Sequence, residues 1–361
     1  MLSLTTPHER ALTLLFSELE GVAAGQTEAF LGTPGVLTER TNENGTRYWV
    51  HRYSDGAGRR VETYVGKVDD PAVSERVKAL RSRIQSADAA IGQVRILARA
   101  GFATVDRKAY STLASLHNHG VFRAGALLIG SHAYGALINA LGVKAVAYST
   151  EDVDIARREA LALSAVPPFI DMLKATGIEF FEVPRVDPPQ LGIGGHGMTP
   201  VRSENRHRGA PATSFAERGA SRRTVDLLVP SRGNDYPTVP VPELKAHAKG
   251  LPYLAYLLGT SQEVPILSPH GVVLVRAPVP ERYAVHKLMV AQLRGKTSAK
   301  PEKDLRQAAT LIEVLVERFP GAVEDALAAV PKSARRLVRE AREALKRHLP
   351  QSAEAAWEAL G

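Results

Sequence analysis

The sequence contains no cysteine. Disulfides, zinc ribbons and thiol nucleophiles are therefore excluded, and any metal ligands are oxygen or imidazole. Oxygen ligands point to magnesium or manganese. A long apolar run is lacking too. The most apolar stretch, residues 121–143, carries Arg123, Ser131, His132 and Asn139, which would be costly in lipid. The first twenty residues, MLSLTTPHERALTLLFSELE, do not pair a basic start with an apolar run, so they do not read as a secretory signal. A cytoplasmic protein of bacterial type is expected. Acidic residues are in deficit, with 38 Asp and Glu against 46 Lys and Arg, for a net charge of +8. That surplus favours polyanions, nucleic acid or nucleotide phosphates, although a merely soluble basic surface accounts for it equally well.

The 361 residues, 44% apolar, suit two or three domains, each with its own core. Residues 8–24 have helical spacing, with Leu12, Leu15, Phe16 and Leu19 on one face. Residues 46–67 hold two β-rich runs around Asp55-Gly56-Ala57-Gly58, a hairpin signal. Helices are expected from Asp70-Pro71 to about Ala87, over 91–100 and over 108–119. The middle of the chain alternates. Strands are expected at 124–129, 151–156, 178–183 and 223–229, and helices at 133–141 and 160–176, the last interrupted at Pro167-Pro168. Alternation of this kind means an α/β (α+β) core with a mixed sheet. Residues 188–200 and 230–243 read as Gly- and Pro-rich loops. Helices follow at 281–294, 302–318, 321–329 and 332–347. The domain reading is an N-terminal helical region with a hairpin (1–120), a central α/β domain (121–279) and a C-terminal helical domain (280–361).

Three short motifs carry chemistry. In Leu127-Leu128-Ile129-Gly130-Ser131 a strand runs into Gly-Ser at the start of a helix. Backbone N–H groups and a hydroxyl there make an anion site, and Gly lets backbone approach a phosphate. An ordinary turn with Ser as N-cap is the simpler account of this motif alone. In Glu151-Asp152-Val153-Asp154-Ile155 the alternation of a strand puts Asp152 and Asp154 on one face and Val153 and Ile155 on the other. Two close carboxylates call for a cation between them, unless they are a solvated strand end. In Thr224-Val225-Asp226-Leu227-Leu228-Val229 a lone carboxylate sits in an apolar run, where it needs a partner. That partner is a metal shared with Asp152 and Asp154, or Arg222 or Arg223.

The ordered set IGSHAYGALINALG, TEDVDIA, RTVDLLVP, VPELKAHAKGLPYL and VPERYAVHKLMVAQLRGKTSAKPEKDLRQAATLIEVL resembles the polymerase-β-like nucleotidyltransferase superfamily, over roughly residues 40–320. It is similar to one uncharacterised bacterial branch, related to abortive-infection and toxin-type nucleotidyltransferases. The 21-residue step from Ser131 to Asp152 is longer than in many members and implies an enlarged connection at 142–149. The resemblance implies a metal-dependent enzyme moving a nucleoside monophosphate from an NTP to an acceptor hydroxyl. Asp152, Asp154 and Asp226 are then the catalytic and Mg2+- or Mn2+-binding residues. It also implies a Lys on one helix and an Asp on the next, here Lys287 and Asp304. Lys287 and Arg294, seven apart and so on one helical face, join Gly130, Ser131 and Asp304 as expected nucleotide-binding residues. His286 is expected to point elsewhere, in a packing or capping role.

RNA, with a tRNA 3′ end as first choice, is the expected acceptor. Residues 201–223 hold Arg202, Arg206, Arg208, Arg218, Arg222 and Arg223 against Glu204 and Glu217, a local charge that suits a phosphate backbone. Arg206, Arg208 and Arg222 are the acceptor-binding candidates. The segment suits the triphosphate as well, or a disordered loop. The hairpin at 46–67 mixes Arg47, Arg52, Arg59, Arg60 and Lys67 with Tyr48, Trp49, Tyr53 and Tyr64, a composition that fits nucleic acid or simple packing onto the next helix. The alternatives are nucleotidylation of a small molecule or protein, and a non-catalytic nucleic-acid-binding module on the same scaffold. A toxin role would add a cognate antitoxin as partner.

Overall fold

The computed structural model describes residues 3–146, 148, 150–183, 211–219, 223–232, 236–294, 300–350 and 353–360. A two-residue strand, β1 (Thr6–Pro7), leads into α1 (Arg10–Gly25), which buries Phe16, Leu19 and Ala23. Strands β2 (Val36–Thr41), β3 (Arg47–Ser54) and β4 (Arg60–Lys67) then form an antiparallel sheet. The hairpin expected at 46–67 is its β3–β4 half. β2, VLTERT, is too polar to announce itself.

Helix α2 (Pro71–Arg99) starts at Asp70, whose side chain accepts from the Ala72 N–H, with Pro at the first position. It is one helix, where the sequence suggested two, at 70–87 and 91–100. Val73, Val77, Ile84, Ala90, Ile91, Val94 and Leu97 are all buried, and their spacing keeps one stripe across the supposed break. No Gly or Pro lies between 87 and 91 to end it. α3 (Arg107–Asn118) is capped by Asp106, which accepts from the Ala109 N–H.

The central sheet is mixed. Its strands are β5 (Leu127–Ile129), β7 (Val153–Ala156), β8 (Phe180–Val183), β9 (Ser214–Glu217), β10 (Thr224–Pro230), β11 (Thr238–Val241) and β12 (Ala246–Leu251). Helix α4 (Gly130–Ala140) follows β5 directly, and β6 (Val143–Lys144) pairs back to β1. The strand order is β11-β12-β10-β7-β5, with β9 bridging β10 and β8. β7 and β12 run parallel to β10, while β5 runs antiparallel to β7. The helix expected over 160–176 is only α5 (Phe169–Lys174). Pro167-Pro168 holds the preceding chain extended and non-helical, and Pro168 becomes the N-cap. The loop read at 230–243 contains β11, and the loop at 188–200 lies outside the described residues.

Residues 244–279 received no element from the sequence, yet they are well formed. After β12 come α6 (Leu254–Leu257) and the hairpin β13 (Ser261–Ser268)–β14 (Gly271–Pro278). Pro265 in β13 and the consecutive apolar residues Val272 to Val275 in β14 hide the period-2 signal. The hairpin packs against α1, α2, α3 and β5, joining the N-terminal helices to the central sheet. The C-terminal helices are α7 (Pro280–Leu293), α8 (Lys300–Arg318), α9 (Ala322–Ala328), α10 (Arg335–Leu345) and α11 (Glu354–Leu360). One continuous core runs from Leu128, Ile155 and Leu227 of the sheet to Leu288, Leu311 and Leu315 of α7 and α8.

The β2–β4 sheet is fastened to this body at its β3–β4 turn. Asp55 accepts from the Arg59 N–H and pairs with Arg59 Nε at 3.0 Å, while Arg59 donates to the Gly177 carbonyl. Gly177 has φ +81°, and a Cβ there would lie 2.3 Å from Asp55 Oδ2. Gly177→Ala is therefore expected to destabilise the protein by about 1–3 kcal/mol, read as a lower denaturation midpoint in urea.

Candidate active site

The site begins with strand register. β7 and β10 are parallel, with Asp154 directly beside Asp226. β5 places Ile129 on the other side of Asp154, so Gly130 abuts the carboxylate. Gly130 has φ +71°, and a Cβ there would sit 2.1 Å from Asp154 Oδ2. Glycine is thus required twice, by backbone conformation and by the acid pressed against it. The Tyr283 hydroxyl of α7 donates to the Gly130 carbonyl at 2.7 Å, tying the turn to the C-terminal helices. No side-chain cap closes the start of α4. The Ser N-cap that would have made this an ordinary turn is not the arrangement found.

Asp152 lies just outside β7 and is exposed, and its Oδ1 accepts from Thr224 Oγ1 at 2.7 Å. Burial raises the Asp154 carboxyl to about 6, helped by Asp226 and Asp152 and opposed by Lys287 and Arg294. Burial raises Asp226 also, against a hydrogen bond from Ser214. Arg223 is not the partner of Asp226. It pairs with Asp106 at 2.5 Å and donates to the Glu151 carbonyl.

Cations face these acids from α7 and α8. Lys287 Nζ is 2.8 Å from Asp304 Oδ1, and Arg294 Nη1 is 3.0 Å from Asp304 Oδ2. The seven-residue spacing of Lys287 and Arg294 does bring both to one partner. Lys249, Lys300 and Lys303 complete a basic wall that sequence reading missed. Lys249 sits in β12, a strand the sequence did not announce. Burial lowers the Lys303 ammonium, and Lys287 adds to the effect.

A cavity of about 370 Å3 runs between the two walls. It is bordered by Gly130, Ser131, Asp152, Asp154, Asp226, Lys287, Arg294 and Asp304 together. His286 borders it too, where the sequence reading sent it elsewhere. The imidazole is packed, its Nε2 buried without a hydrogen-bond partner, and burial with Lys287 and Arg294 lowers it to about 3. Arg206, Arg208 and Arg222 lie outside the described residues, and Arg218 is exposed.

The donor set suits a hard divalent cation. It is all carboxylate, and two of its members stand half-buried side by side with raised pKa values. Among the described residues, no three His, Asp or Glu side chains stand close enough to enclose an ion as placed. Asp152 is the member turned aside, toward Thr224.

A family model described as nucleotidyltransferase matches residues 107–192 and 195–331, more than half of the chain. The chain belongs to this nucleotidyltransferase family. It is therefore an enzyme of the nucleotidyltransferase type, and the family implies an NTP substrate. Both matched stretches contain site residues, Gly130 to Asp154 in the first and Asp226 to Asp304 in the second. No curated protein and no solved structure matches the chain. No described helix is long and apolar enough to cross a membrane.

The raised Asp154 carboxyl gives a stability test. Its folded value, about 6, exceeds its ordinary 3.8, so the folded state holds a proton that the unfolded state releases. That stabilisation is present below the lower value and is lost as pH rises through about 6. Asp154→Asn is expected to raise the melting temperature of chelator-treated protein at pH 7 by roughly 2–5 °C, and to raise it little at pH 4. Magnesium is expected to raise the melting temperature of the unsubstituted protein but not of the variant. Equal melting temperatures at pH 7 would contradict the cost assigned to the acidic pair.

Proposed function

We propose that this chain transfers a nucleoside monophosphate from an NTP to an acceptor hydroxyl, with RNA, and a tRNA 3′ end first, as the acceptor. The observation that carries the reading is the two-walled cavity. Half-buried carboxylates in register face Lys287 and Arg294 across a volume suited to a small ligand.

In this reading Asp152, Asp154 and Asp226 are the metal ligands and catalytic carboxylates. A divalent cation bound there would lower the pKa of the acceptor hydroxyl and neutralise charge on the leaving pyrophosphate. Ser131 and the N–H groups starting α4 donate to phosphate oxygens. Lys287 and Arg294 bind the triphosphate by charge-assisted hydrogen bonds, and Asp304 holds both in place. The acceptor oxygen bonds to the α-phosphorus as the bond to the β-bridging oxygen breaks. The hydroxyl proton passes to the Asp226 carboxylate, whose raised pKa suits a base. Pyrophosphate leaves along the basic wall. Arg206, Arg208 and Arg222 would guide an RNA backbone toward Asp226.

The test is incubation with each labelled NTP, magnesium or manganese, and total RNA. Label is expected in RNA, and label only in protein or in a small molecule would reassign the acceptor. Lys287→Met is expected to weaken NTP binding at least about tenfold, as loss of a charge-assisted contact implies, and calorimetry reads it directly. Asp226→Asn is expected to abolish transfer while NTP still binds. Charge reversal of Arg206, Arg208 and Arg222 is expected to reduce RNA affinity and its salt dependence but spare free NTP.

A further inference from the structure

A second cavity, of about 410 Å3, opens beside the first. Asp106, Arg107, His132, Tyr148, Thr150 and His270 line it. Thr150 borders both cavities, two residues from Asp152, and its hydroxyl accepts from the Asp152 N–H. Lys303 of the first cavity stacks on Tyr148 of the second, with Nζ 5.4 Å from the ring centroid. A group seated in the second cavity therefore lies next to Asp152, past Thr150.

The chemistry of the lining narrows the occupant. Arg107 makes no ion pair among the described residues, and its Nε is buried with no hydrogen-bond partner. His132 Nε2 is buried and unpartnered likewise. The one carboxylate of the lining, Asp106, is already engaged by Arg223 and by the Ala109 N–H. Arg95 and Arg107 bear on His270, and Arg223 and Lys303 on His132, against Asp106 and Asp152. Both imidazoles are held below their ordinary values, chiefly by burial, and so offer neutral hydrogen-bonding groups. Within the lining, the cation without an ion pair among the described residues is Arg107. A bare hydroxyl, such as a Ser or Tyr side chain of a protein, gives it nothing to pair with. A phosphate does.

We propose that this second cavity is the acceptor subsite, and that it takes a hydroxyl acceptor carrying a phosphate, with Arg107 and His270 on the phosphate. The 3′-terminal nucleotide of an RNA and a free sugar phosphate share that chemistry. The inference rests on the nucleotidyl-transfer reading above, and binding rather than turnover separates the two.

The full chain is loaded with a non-hydrolysable NTP and magnesium, then titrated with an eight-nucleotide single-stranded RNA ending in a 3′-hydroxyl, and separately with ribose 5-phosphate. At least one probe is expected to bind. Arg107→Ala and His270→Gln are each expected to weaken it about tenfold, the loss of one charge-assisted or buried hydrogen bond. NTP-analogue affinity and melting temperature stay unchanged, and Arg107→Lys keeps most of the binding. RNA binding assigns the cavity to a polynucleotide end, and ribose 5-phosphate binding without RNA assigns it to a small acceptor. The inference is overturned if neither probe binds, if binding ignores both substitutions, or if NTP affinity falls in parallel. Should the binding pattern hold while labelled NTP reaches no acceptor, the transfer reading and the acceptor role fail together, and what stands is a phosphate-binding cavity.

Discussion

Two carboxylates lie side by side on parallel strands, half-buried at the floor of a cavity. Asp154 and Asp226 share a register position, and burial raises both. Much of the neighbouring structure answers that constraint. Gly130 is glycine because the Asp154 carboxylate fills the space of a Cβ. Tyr283 reaches from α7 to hold the Gly130 carbonyl, so the turn cannot drift from the acid. Ser214, on the neighbouring strand β9, gives Asp226 its hydrogen bond. An acidic pair kept in place at this cost is poised for a positive partner.

The opposite wall is built by the C-terminal helices. α7 and α8 bring Lys287, Arg294, Lys300 and Lys303 to face the sheet, and Asp304 spans two of them with separate oxygens. Asp304 has a dual effect. It fixes the two side chains, which lowers the entropy lost on binding an anion, and it offsets part of their repulsion. Acids on the sheet and bases on the helices leave the cavity with a strong field across it. A ligand that joins phosphates to a cation fits that field better than an apolar one.

The N-terminal helices take part in the site through α3. Its cap, Asp106, pairs with Arg223 one residue ahead of β10, and Arg223 also holds the Glu151 carbonyl beside Asp152. One arginine thus fastens the entry to β10, the entry to β7 and the start of α3. The β13–β14 hairpin fills the space between α1, α2 and the sheet and supplies His270 at its turn. The β2–β4 sheet stands farther off. Its arginines are largely spent on Glu39, Glu62 and Asp69, and Arg81 covers Trp49.

Local sequence determined what depends on neighbours in the chain. The Gly-Ser turn, the alternation that turns Asp154 away from the core, and the capped starts of α2 and α3 all follow from residues a few positions apart. The seven-residue spacing that aims Lys287 and Arg294 the same way is local too, and so is the absence of thiol chemistry. Tertiary structure decided the rest. That Asp226 stands beside Asp154 is a matter of strand pairing across 72 residues, which no period in the sequence encodes. Lys249 reaches the basic wall only because β12 adds alongside β10. Asp152 turned to Thr224, and Arg223 to Asp106, because those partners lay within hydrogen-bond reach after folding. The long α2 and the shortened α5 show the same division. Packing joined a helix that local signals had split, and two prolines stopped one that apolar spacing had drawn too long. Periodicity reports which face is buried, while the partner of a polar side chain is set by distances that exist only in the folded chain.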